Sequence, residues 1–454
     1  MNDRDQEANR IGARLSRYAT VGAGLGSTAA RVAARRMLAP QADTASEARL
    51  FRETLGSLKG PLMKVAQLLS TIPDILPPEY AEELATLQSQ APAMGWPFVR
   101  RRMAAELGAD WQTKFESFEQ SAAAAASLGQ VHRARDRAGR PLALKLQYPD
   151  MDSAVEADLT QLGLLLSLHR RLDRAIDTSE IELELSTRLR EELDYEREAR
   201  HMALYATMLE GEARIRVPTV VPELSTRRLL TMTWLEGRGL LAFKDHPLEI
   251  RNRLAACLFT AWWLPFCRHG VIHGDPHLGN YAAFGDGPEA EGLNLLDFGA
   301  IRIFPPSFVG GVVDLYHGLR TDNREQIVHA YETWGFRNLS PALIDVLNIW
   351  ARFIYGPLLE DRVRAIADGV SPAAYGRRQA YTVHQQLKAL GPLRVPREFV
   401  FMDRAAIGLG GVFIHLRAEL NFHRLFNEAL AGFTIAGTAQ RQGEALAAAG
   451  LGAE

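Results

Sequence analysis

The sequence predicts an α+β fold in two lobes, a small β-containing N-lobe followed by a larger helical C-lobe. The strand-like segments of the first lobe include 115–119, 130–135 and 141–147. The last two flank a charged, glycine-containing turn (136–140), which predicts a hairpin. Beyond residue 237 helical patterns dominate, and only 281–284 and 293–296 resemble strands. Ligands favour the cleft between two such lobes.

The pattern along the chain predicts four segments. They are a basic N-terminal segment (1–45), a helical extension (46–110), the N-lobe (111–236) and the C-lobe (237–454). Residues 10–36 contain several arginines and no acidic residue, which is typical of an amphipathic helix on an anionic membrane surface. A mobile or body-packed terminus is the alternative interpretation.

The N-lobe also contains further predicted elements. Two long helices are expected at 151–174 and 180–209, and two strands at 217–222 and 228–235. The last segment ends at Leu235, before Glu236 and Gly237. Met232 and Leu235 are therefore candidate nucleotide contacts at the junction of the two lobes.

Composition excludes some classes of protein. The chain has 454 residues and a formal net charge of −2, which argues against a nucleic-acid binder. Its two cysteines, Cys257 and Cys267, lie in one apolar stretch and indicate neither a disulfide framework nor a zinc site. We therefore expect a reducing, cytoplasmic compartment.

The sequence predicts no transmembrane helix. No run of about 18 apolar residues occurs, and the longest candidate, 254–267, is short and contains Pro265, which indicates a buried core helix. The N-terminus opens with polar and acidic residues, unlike a signal peptide. Any membrane attachment is expected to be peripheral.

The strongest chemical signal is a pair of motifs in the C-lobe. His273–Asn280 reads HGDPHLGN, and Asn294–Gly299 reads NLLDFG. Phosphoryl transfer needs a carboxylate near the attacking hydroxyl and oxygen ligands for magnesium. Asp275 as catalytic base, with Asn280 and Asp297 as Mg²⁺ ligands, has the spacing of protein kinases. The motifs predict binding of ATP or ADP with Mg²⁺.

A zinc site is a competing interpretation of the same region. His269, His273 and His277 recur at intervals of four residues. Gly270, Gly274 and Pro276 would break a helix that aligns them, so this interpretation is disfavoured.

Lys145 is the candidate for the phosphate-contacting lysine of the N-lobe. It lies in the strand-like sequence LALKL, in a chain with six lysines and 46 arginines. An exposed strand lysine is the alternative. Glu198 is its predicted carboxylate partner, and Glu192 and Glu196 are alternatives on the same acidic segment.

An alanine-rich segment takes the place of the glycine-rich phosphate loop. Ala124, Ala125, Ala126 and Ser127 are predicted to contact the nucleotide, although alanine runs also occur as helix fillers. Alanine restricts the close backbone approach that glycine permits, so the segment should oppose protein phosphorylation. Gly274 stands where regulated kinases carry an arginine, and no Ala-Pro-Glu follows Gly299.

Together these motifs resemble the UbiB/AarF family of atypical kinases over about residues 50–425. The motifs are 124–132, 192–195, 273–280 and Lys64-Val65-Ala66-Gln67. The resemblance implies that a helix carrying Lys64 and Gln67 covers the nucleotide, with Glu192 and Asp194 as their counterparts. It also implies a catalytic role for Lys64 and a nucleotide contact for Gln67. Ala66 departs from the glycine of the family.

The resemblance implies an ATPase or unorthodox kinase that supports ubiquinone biosynthesis. Implied partners are quinone-precursor lipids, a membrane surface and ubiquinone-biosynthesis proteins. One alternative is a small-molecule phosphotransferase similar to aminoglycoside kinases, which the Lys64 helix and the alanine-rich segment disfavour. Another is a nucleotide-dependent scaffold without catalysis, which the intact Asp275, Asn280 and Asp297 disfavour.

Overall fold

The structure is a computed structural model in which the chain forms two compact units. It describes residues 94–126, 128–156, 159–160, 179–285, 289–367, 376–390 and 396–452. Of the described residues, unit 1 comprises 94–126, 128–156, 159–160, 181–196 and 220–234, and unit 2 comprises 179–180, 197–219, 235–285, 289–367, 376–390 and 396–452. The expectations for 1–45 and for Lys64 and Gln67 lie outside the described residues. The lobe boundaries given above stay predictions.

The helices are α1 (Trp96–Leu107), α2 (Ser179–Glu191), α3 (Tyr195–Met208), α4 (Leu248–His269), α5 (Pro306–Thr321), α6 (Arg324–Thr333), α7 (Pro341–Leu359), α8 (Arg377–Leu390), α9 (Arg397–Leu416), α10 (Phe422–Leu430) and α11 (Ile435–Ala448). The strands are β1 (Phe115–Phe118), β2 (Ala124–Ala126), β3 (Gly129–Asp136), β4 (Pro141–Gln147), β5 (Ile215–Arg216), β6 (Leu229–Thr233), β7 (Arg238–Gly239), β8 (Val271–Ile272), β9 (Tyr281–Phe284), β10 (Gly292–Leu295), β11 (Arg302–Ile303), β12 (Arg364–Ala365) and β13 (Glu419–Leu420).

Unit 1 is an antiparallel sheet covered by α1. The strand order is β1-β3-β4-β6, and β2 pairs with β3. Val99 and Met103 of α1 are fully buried in one apolar cluster with Trp111 and the strand residues Leu142 and Leu144. Burial of this apolar surface, one helix face against one sheet face, holds the unit together.

The predicted hairpin is confirmed as β3 and β4. Its turn is closed by the Asp136 carboxylate, whose Oδ1 accepts hydrogen bonds from the N–H groups of Ala138 and Arg140 at 2.9 Å each. Gly139 has φ +78°, a left-handed conformation that favours glycine. The aspartate and the glycine therefore fix the register of β3 against β4.

The helix predicted over 180–209 is interrupted, and in this respect the prediction was wrong. Residues 192–194 form a turn between α2 and α3. Gln147 Nε2 donates to the Leu193 carbonyl at 3.1 Å, and the Tyr195 N–H donates to the Arg227 carbonyl at 3.2 Å. In a continuous helix the Leu193 carbonyl and the Tyr195 N–H would be hydrogen-bonded within the helix, whereas here they are bonded to distant residues. The described parts of 151–174, namely 151–156 and 159–160, are helical.

The strand predicted over 217–222 is also wrong for most of its length. Only Val220 makes an isolated bridge there, with Met232 of β6, and the neighbouring strand β5 ends at Arg216. Pro218 and Pro222 have no N–H to donate to a ladder, which explains why the pairing does not extend.

Unit 2 is mainly helical around a small sheet of order β5-β10-β9-β7. Strands β9 and β10 confirm the predicted 281–284 and 293–296 within one residue. The apolar stretch 254–267 lies within α4, and most of it is buried, which confirms the core-helix interpretation. Burial raises the pKa of the Cys257 thiol to about 11 and raises that of Cys267 as well. Both thiols are therefore protonated near neutral pH.

One helix of the described residues is long and apolar enough to cross a membrane, judged by length and composition. This helix is α7, and 44% of its most apolar 18-residue stretch is buried within the protein. The sequence analysis missed it because Asp345 and Arg352 interrupt the apolar run. A buried core helix has the same composition.

Arg102 of α1 ties this helix to the sheet of unit 1. Its side chain is buried, and Nε and Nη2 donate to the carbonyls of Gln147 (3.2 Å) and Tyr148 (3.4 Å). Nη1 lies 3.3 Å from the Glu106 carboxylate. A buried carbonyl or carboxylate that loses its donor retains the cost of desolvation.

We predict that Arg102→Met lowers the free energy of unfolding by about 1–3 kcal/mol, because the carbonyls of Gln147 and Tyr148 lose the bonds that the guanidinium donates. The matched control is Arg101→Met on the exposed face of the same helix, which should change stability by less than about 0.5 kcal/mol. Arginine and methionine have similar helix propensities, so the pair isolates the tertiary contacts. Urea denaturation measures both, and equal losses would contradict the assigned role.

Candidate functional site

The loop that carries Asp275 is held between α4 and β11. Helix α4 ends at Gly270, which has φ +65°, and the Gly270 N–H donates to the Phe266 carbonyl at 2.8 Å. Strand β8 follows at once and pairs with β11, Ile272 opposite Arg302. Since β11 lies just beyond Gly299, this pairing places the segment before Asp275 beside the segment after Asp297.

Gly274 is the point of closest approach between these segments. Its φ is +78°, and a Cβ built there would lie 2.2 Å from the Ala300 carbonyl oxygen. A side chain at this position would have to displace backbone. The structure thereby explains why glycine stands where regulated kinases carry an arginine: the space is filled by the chain that follows Gly299.

Asn280 and Asp297 are brought together by main-chain hydrogen bonds. Strands β9 and β10 pair with Tyr281 opposite Leu295, and the Leu296 N–H donates to the Asn280 carbonyl at 2.9 Å. Asp297 is the next residue along the chain. The two predicted magnesium ligands therefore lie at the same end of one β-ladder.

The backbone of Asp275 is fixed to the same ladder. Its carbonyl accepts hydrogen bonds from Asn280 Nδ2 at 3.2 Å and from the Tyr281 hydroxyl at 3.1 Å. Because the Asn280 amide donates through its nitrogen, its oxygen Oδ1 is the atom able to ligate a metal ion. All three predicted residues of the motif pair are thus assembled in one neighbourhood of unit 2.

The Asp-Phe-Gly segment is clamped by α3. Glu198 is 3% exposed, and its Oε1 accepts from the Phe298 N–H at 3.4 Å. His201, one turn later, lies with Nδ1 3.3 Å from the Phe298 carbonyl, which requires the proton on Nδ1. Residues three apart share a helix face, so α3 contacts both backbone groups of Phe298.

Glu198 differs from the two alternative carboxylates in burial. Glu196 is exposed and Glu192 is half-buried in the turn before α3. Asp194 is half-buried in that turn as well. The partnership of Glu198 with Lys145 stays a prediction, because the two residues belong to different units.

The ring of His273 lies in an aromatic cluster under this loop. Its centroid is 5.7 to 5.9 Å from the rings of Tyr205, Trp262, Tyr281 and Phe298. Burial lowers the pKa of His273, and this effect outweighs the charges of Asp275 and Asp297, which raise it. We therefore expect a neutral imidazole that acts as a core residue.

The histidines of the zinc interpretation serve separate purposes. His269 Nδ1 lies 3.3 Å from the Arg441 carbonyl, and His277 Nδ1 accepts from the Gly279 N–H at 3.1 Å. His273 is enclosed by aromatic rings. Across the described residues, no group of three or more histidine, cysteine, aspartate or glutamate side chains is arranged to hold a metal ion.

In unit 1, Lys145 lies on β4 between Val131 of β3 and Leu230 of β6. It is 8% exposed, so it is not the exposed strand lysine of the alternative interpretation. Its Nζ lies 5.3 Å from the centre of the Tyr195 ring, a distance compatible with a cation–π interaction. The two neighbouring strands and Tyr195 thus determine where the ammonium is placed.

The alanine-rich segment is a strand in the structure, not a helix. Ala124 and Ala125 are exposed on β2 and pair with Val131 and Gln130 of β3. Ala126 pairs with Gly129, and Ser127 lies outside the described residues. A Cβ on Gly129 would lie 2.3 Å from the Leu146 carbonyl oxygen, so glycine is needed where this hairpin crosses β4.

The base of that hairpin is anchored by Gln130, which is fully buried. Its side-chain amide bonds both backbone groups of Met94 (2.7 and 3.2 Å) and lies 2.8 Å from His132 Nε2. His132 Nδ1 lies 2.9 Å from the Glu119 carbonyl. Of the other predicted nucleotide contacts, Met232 is buried on β6 of unit 1, and Leu235 is half-buried in unit 2.

Sequence reasoning missed several residues that shape the site. His201 had a detectable signal, since it lies three residues after Glu198 on a helix. Tyr281 is the first residue of a predicted strand and was not considered as a donor to Asp275. Gly408 of α9 gave no signal: a Cβ there would lie 2.1 Å from Cγ of Pro276, so α9 packs directly on the loop that carries Asp275.

The fold is kinase-like and α+β. A solved structure described as the Rv3197–erythromycin complex from Mycobacterium tuberculosis superposes with a TM-score of 0.56 and 28% sequence identity, covering 85% of this chain and 94% of that one. A model of the ABC1 atypical kinase-like domain matches residues 86–331, more than half of the chain. This chain belongs to the UbiB/AarF family of atypical kinases.

Two relatives illustrate the extent of the similarity. The uncharacterised protein sll1770 of Synechocystis is 31% identical over 83% of this chain and 63% of its own length. The mitochondrial atypical kinase COQ8 of Saccharomyces cerevisiae is 31% identical over 65% of this chain and 60% of its own length. The chain therefore matches less than two thirds of the length of each of these relatives.

The contact between Gly408 and Pro276 generates a testable prediction. Gly408→Ala should lower the free energy of unfolding by about 1–3 kcal/mol, because the proline ring cannot move aside as a flexible side chain would. Gly443→Ala in α11 is the control, since nothing lies within 4 Å of a Cβ there. It should stabilise the protein by about 0.5–1 kcal/mol through helix propensity.

Chemical denaturation measures the free energy of unfolding of both variants, which should fall for Gly408→Ala and rise for Gly443→Ala. A stabilised Gly408→Ala variant would show that α9 does not pack against the Asp275 loop as described.

Proposed function

We propose that the protein binds ATP or ADP with Mg²⁺ and acts as an atypical kinase or ATPase of the UbiB/AarF type. The observation that carries the proposal is the assembly of Asp275, Asn280 and Asp297 by the pairing of β9 with β10 and by the bond that Asn280 Nδ2 donates to the Asp275 carbonyl. Residues separated by up to 22 positions are thereby held in one neighbourhood of unit 2.

The donor atoms at this site fit magnesium. Asn280 offers an amide oxygen and Asp297 a carboxylate, and Mg²⁺ prefers such hard oxygen ligands together with phosphate oxygens. When bound, the ion would neutralise charge that develops on the transferred phosphoryl group. The residues of this chain supply the rest: Asn280 and Asp297 orient the phosphates, and Lys145 is the proposed ammonium that contacts them.

Asp275 is the proposed general base. The proton of the attacking hydroxyl or water would pass to its carboxylate as the new O–P bond to the γ-phosphorus of ATP forms, while the bond from that phosphorus to the bridging oxygen breaks and ADP leaves. Gly274 and the missing Ala-Pro-Glu motif argue against a phosphorylated activation loop and a peptide platform. Water or a small hydroxyl compound is therefore favoured over a protein as acceptor.

The biological role rests on family membership. A role in ubiquinone biosynthesis is the one that the resemblance implies, with quinone-precursor lipids and ubiquinone-biosynthesis proteins as partners. Lys64 and Gln67, with Glu192 and Asp194, belong to the same proposal as a helix that covers the nucleotide. A cytoplasmic location with peripheral membrane attachment is likewise proposed.

A small-molecule phosphotransferase is the second candidate function. The observation that favours it is the structural relative, whose description names a complex with erythromycin, a small molecule. Mass analysis separates the two candidates: transfer gives a phosphorylated small molecule, whereas an ATPase gives only ADP and free phosphate.

Substitution of Asp297 tests the metal site. Asp297→Asn should nearly abolish the Mg²⁺-dependent rise in melting temperature that nucleotide produces, because the phosphates lose a charged metal ligand. Asp345→Asn is the matched control, an exposed aspartate on α7 paired with Arg324, and should keep the full rise.

Differential scanning fluorimetry with ADP or ATP, with and without Mg²⁺, gives both values. If the Asp297 variant is stabilised by nucleotide as much as the parent, the proposed metal site is wrong.

A further inference from the structure

Unit 2 contains a cavity whose lining includes residues of α4, α5, α7 and α9. Its volume is about 70 Å³. Protein interiors are close-packed and contain few voids larger than a water molecule. A single water needs roughly 10–15 Å³ on this measure, so the cavity has room for a group several times larger.

The wall of the cavity is apolar and largely aromatic. All of the described residues that line it lack a charge, and they include three of the seven tryptophans, Trp263, Trp334 and Trp350. A stable occupant of such a space must therefore be bound by dispersion contacts and by removal of apolar surface from water.

Three polar groups of this wall, two hydroxyls and one indole N–H, are hydrogen-bonded to the protein itself. The Tyr331 hydroxyl donates to Asn348 Oδ1 at 2.9 Å, and the Tyr355 hydroxyl donates to the Val312 carbonyl at 3.3 Å. Trp334 Nε1 donates to the Phe308 carbonyl at 3.0 Å. A buried water needs two to four polar partners, and these groups are already engaged, so a hydrocarbon suits the space better than water.

Helix α7 contributes apolar side chains to the wall of the cavity, and not all of them are fully buried. Ile354 and Leu347 of this helix both line the cavity, and Ile354 is only half-buried. Less than half of the apolar window of α7 is buried within the protein (44%). A chain that leaves a lipid phase could therefore follow apolar side chains from the surface of α7 into the cavity.

We propose that this cavity binds the hydrocarbon chain of a lipid, isoprenoid or fatty acyl. The chain would insert between α7 and α9, with its flat or branched end against the three tryptophan rings. Binding does not require nucleotide, so the inference is independent of the phosphoryl chemistry proposed above. It goes beyond that function because it assigns a second ligand site, formed by unit 2 alone.

The test uses 10-bromodecan-1-ol, whose bromine quenches tryptophan fluorescence on contact. The full-length protein should show saturable quenching. Ala351→Leu fills the cavity from α7 and should raise the dissociation constant at least about tenfold. Ala342→Leu is the control: it makes the same change on an exposed position of the same helix that does not line the cavity, and should leave the dissociation constant unchanged.

A second substitution that fills the cavity keeps the proposal testable if Ala351→Leu fails to fold. Ala406→Leu enters the same space from α9 and should weaken binding as Ala351→Leu does. Displacement of the bromoalcohol by geraniol indicates an isoprenoid site, and displacement by decanoic acid indicates an acyl site. Non-saturable quenching of the parent, or equal affinity in the parent and both filled variants, would show that the space is a packing void and overturn the proposal.

Discussion

The hydrogen bond from the Leu296 N–H to the Asn280 carbonyl closes the ladder on which the candidate site depends. It extends the pairing of β9 and β10 by one step, to the residues that precede Tyr281 and Asp297. The pairing of β8 with β11 acts at the opposite side of the loop and leaves no space for a side chain at Gly274. Main-chain pairing therefore brings Asn280 next to Asp297, and the Asn280 amide and the Tyr281 hydroxyl hold the Asp275 backbone beside them. For the same reason an isosteric change of Asp275 or Asp297 should alter chemistry more than geometry.

Helix α9 connects two features that the sequence does not relate. Gly408 packs against Pro276, beside Asp275, while Leu409 and Gly410 line the aromatic cavity. A hydrocarbon in the cavity and the Pro276 ring would thus contact different sides of the same turn of α9. Packed helices move as rigid elements, so a shift of α9 would be felt at the Asp275 loop.

Much of the architecture could be predicted from local patterns. The alternation in β3 and β4 and the turn from Asp136 to Arg140 were sufficient for the hairpin, and the motif spacing was sufficient to group Asp275, Asn280 and Asp297. The strand predicted over 217–222 was wrong because of its two prolines, and the single helix predicted over 180–209 was wrong because long-range hydrogen bonds compete with local preference. The break at 192–194 depends on Gln147 and Arg227, which are distant in sequence. Close approaches such as Gly408 to Pro276 have no sequence signature at all. The burial that distinguishes Glu198 from Glu192 and Glu196 is likewise not visible in the sequence.

The central claim is that Asp275 accepts a proton in phosphoryl transfer from a magnesium nucleotide. The most direct measurement is single-turnover cleavage of radiolabelled ATP by the parent and by Asp275→Asn, with and without Mg²⁺. The carbonyl of residue 275, not its side chain, accepts the bonds from Asn280 and Tyr281, so the variant should keep the loop in place. The account predicts Mg²⁺-dependent cleavage that falls at least about a hundredfold in the variant while nucleotide binding persists. Cleavage at the parental rate in Asp275→Asn would contradict it.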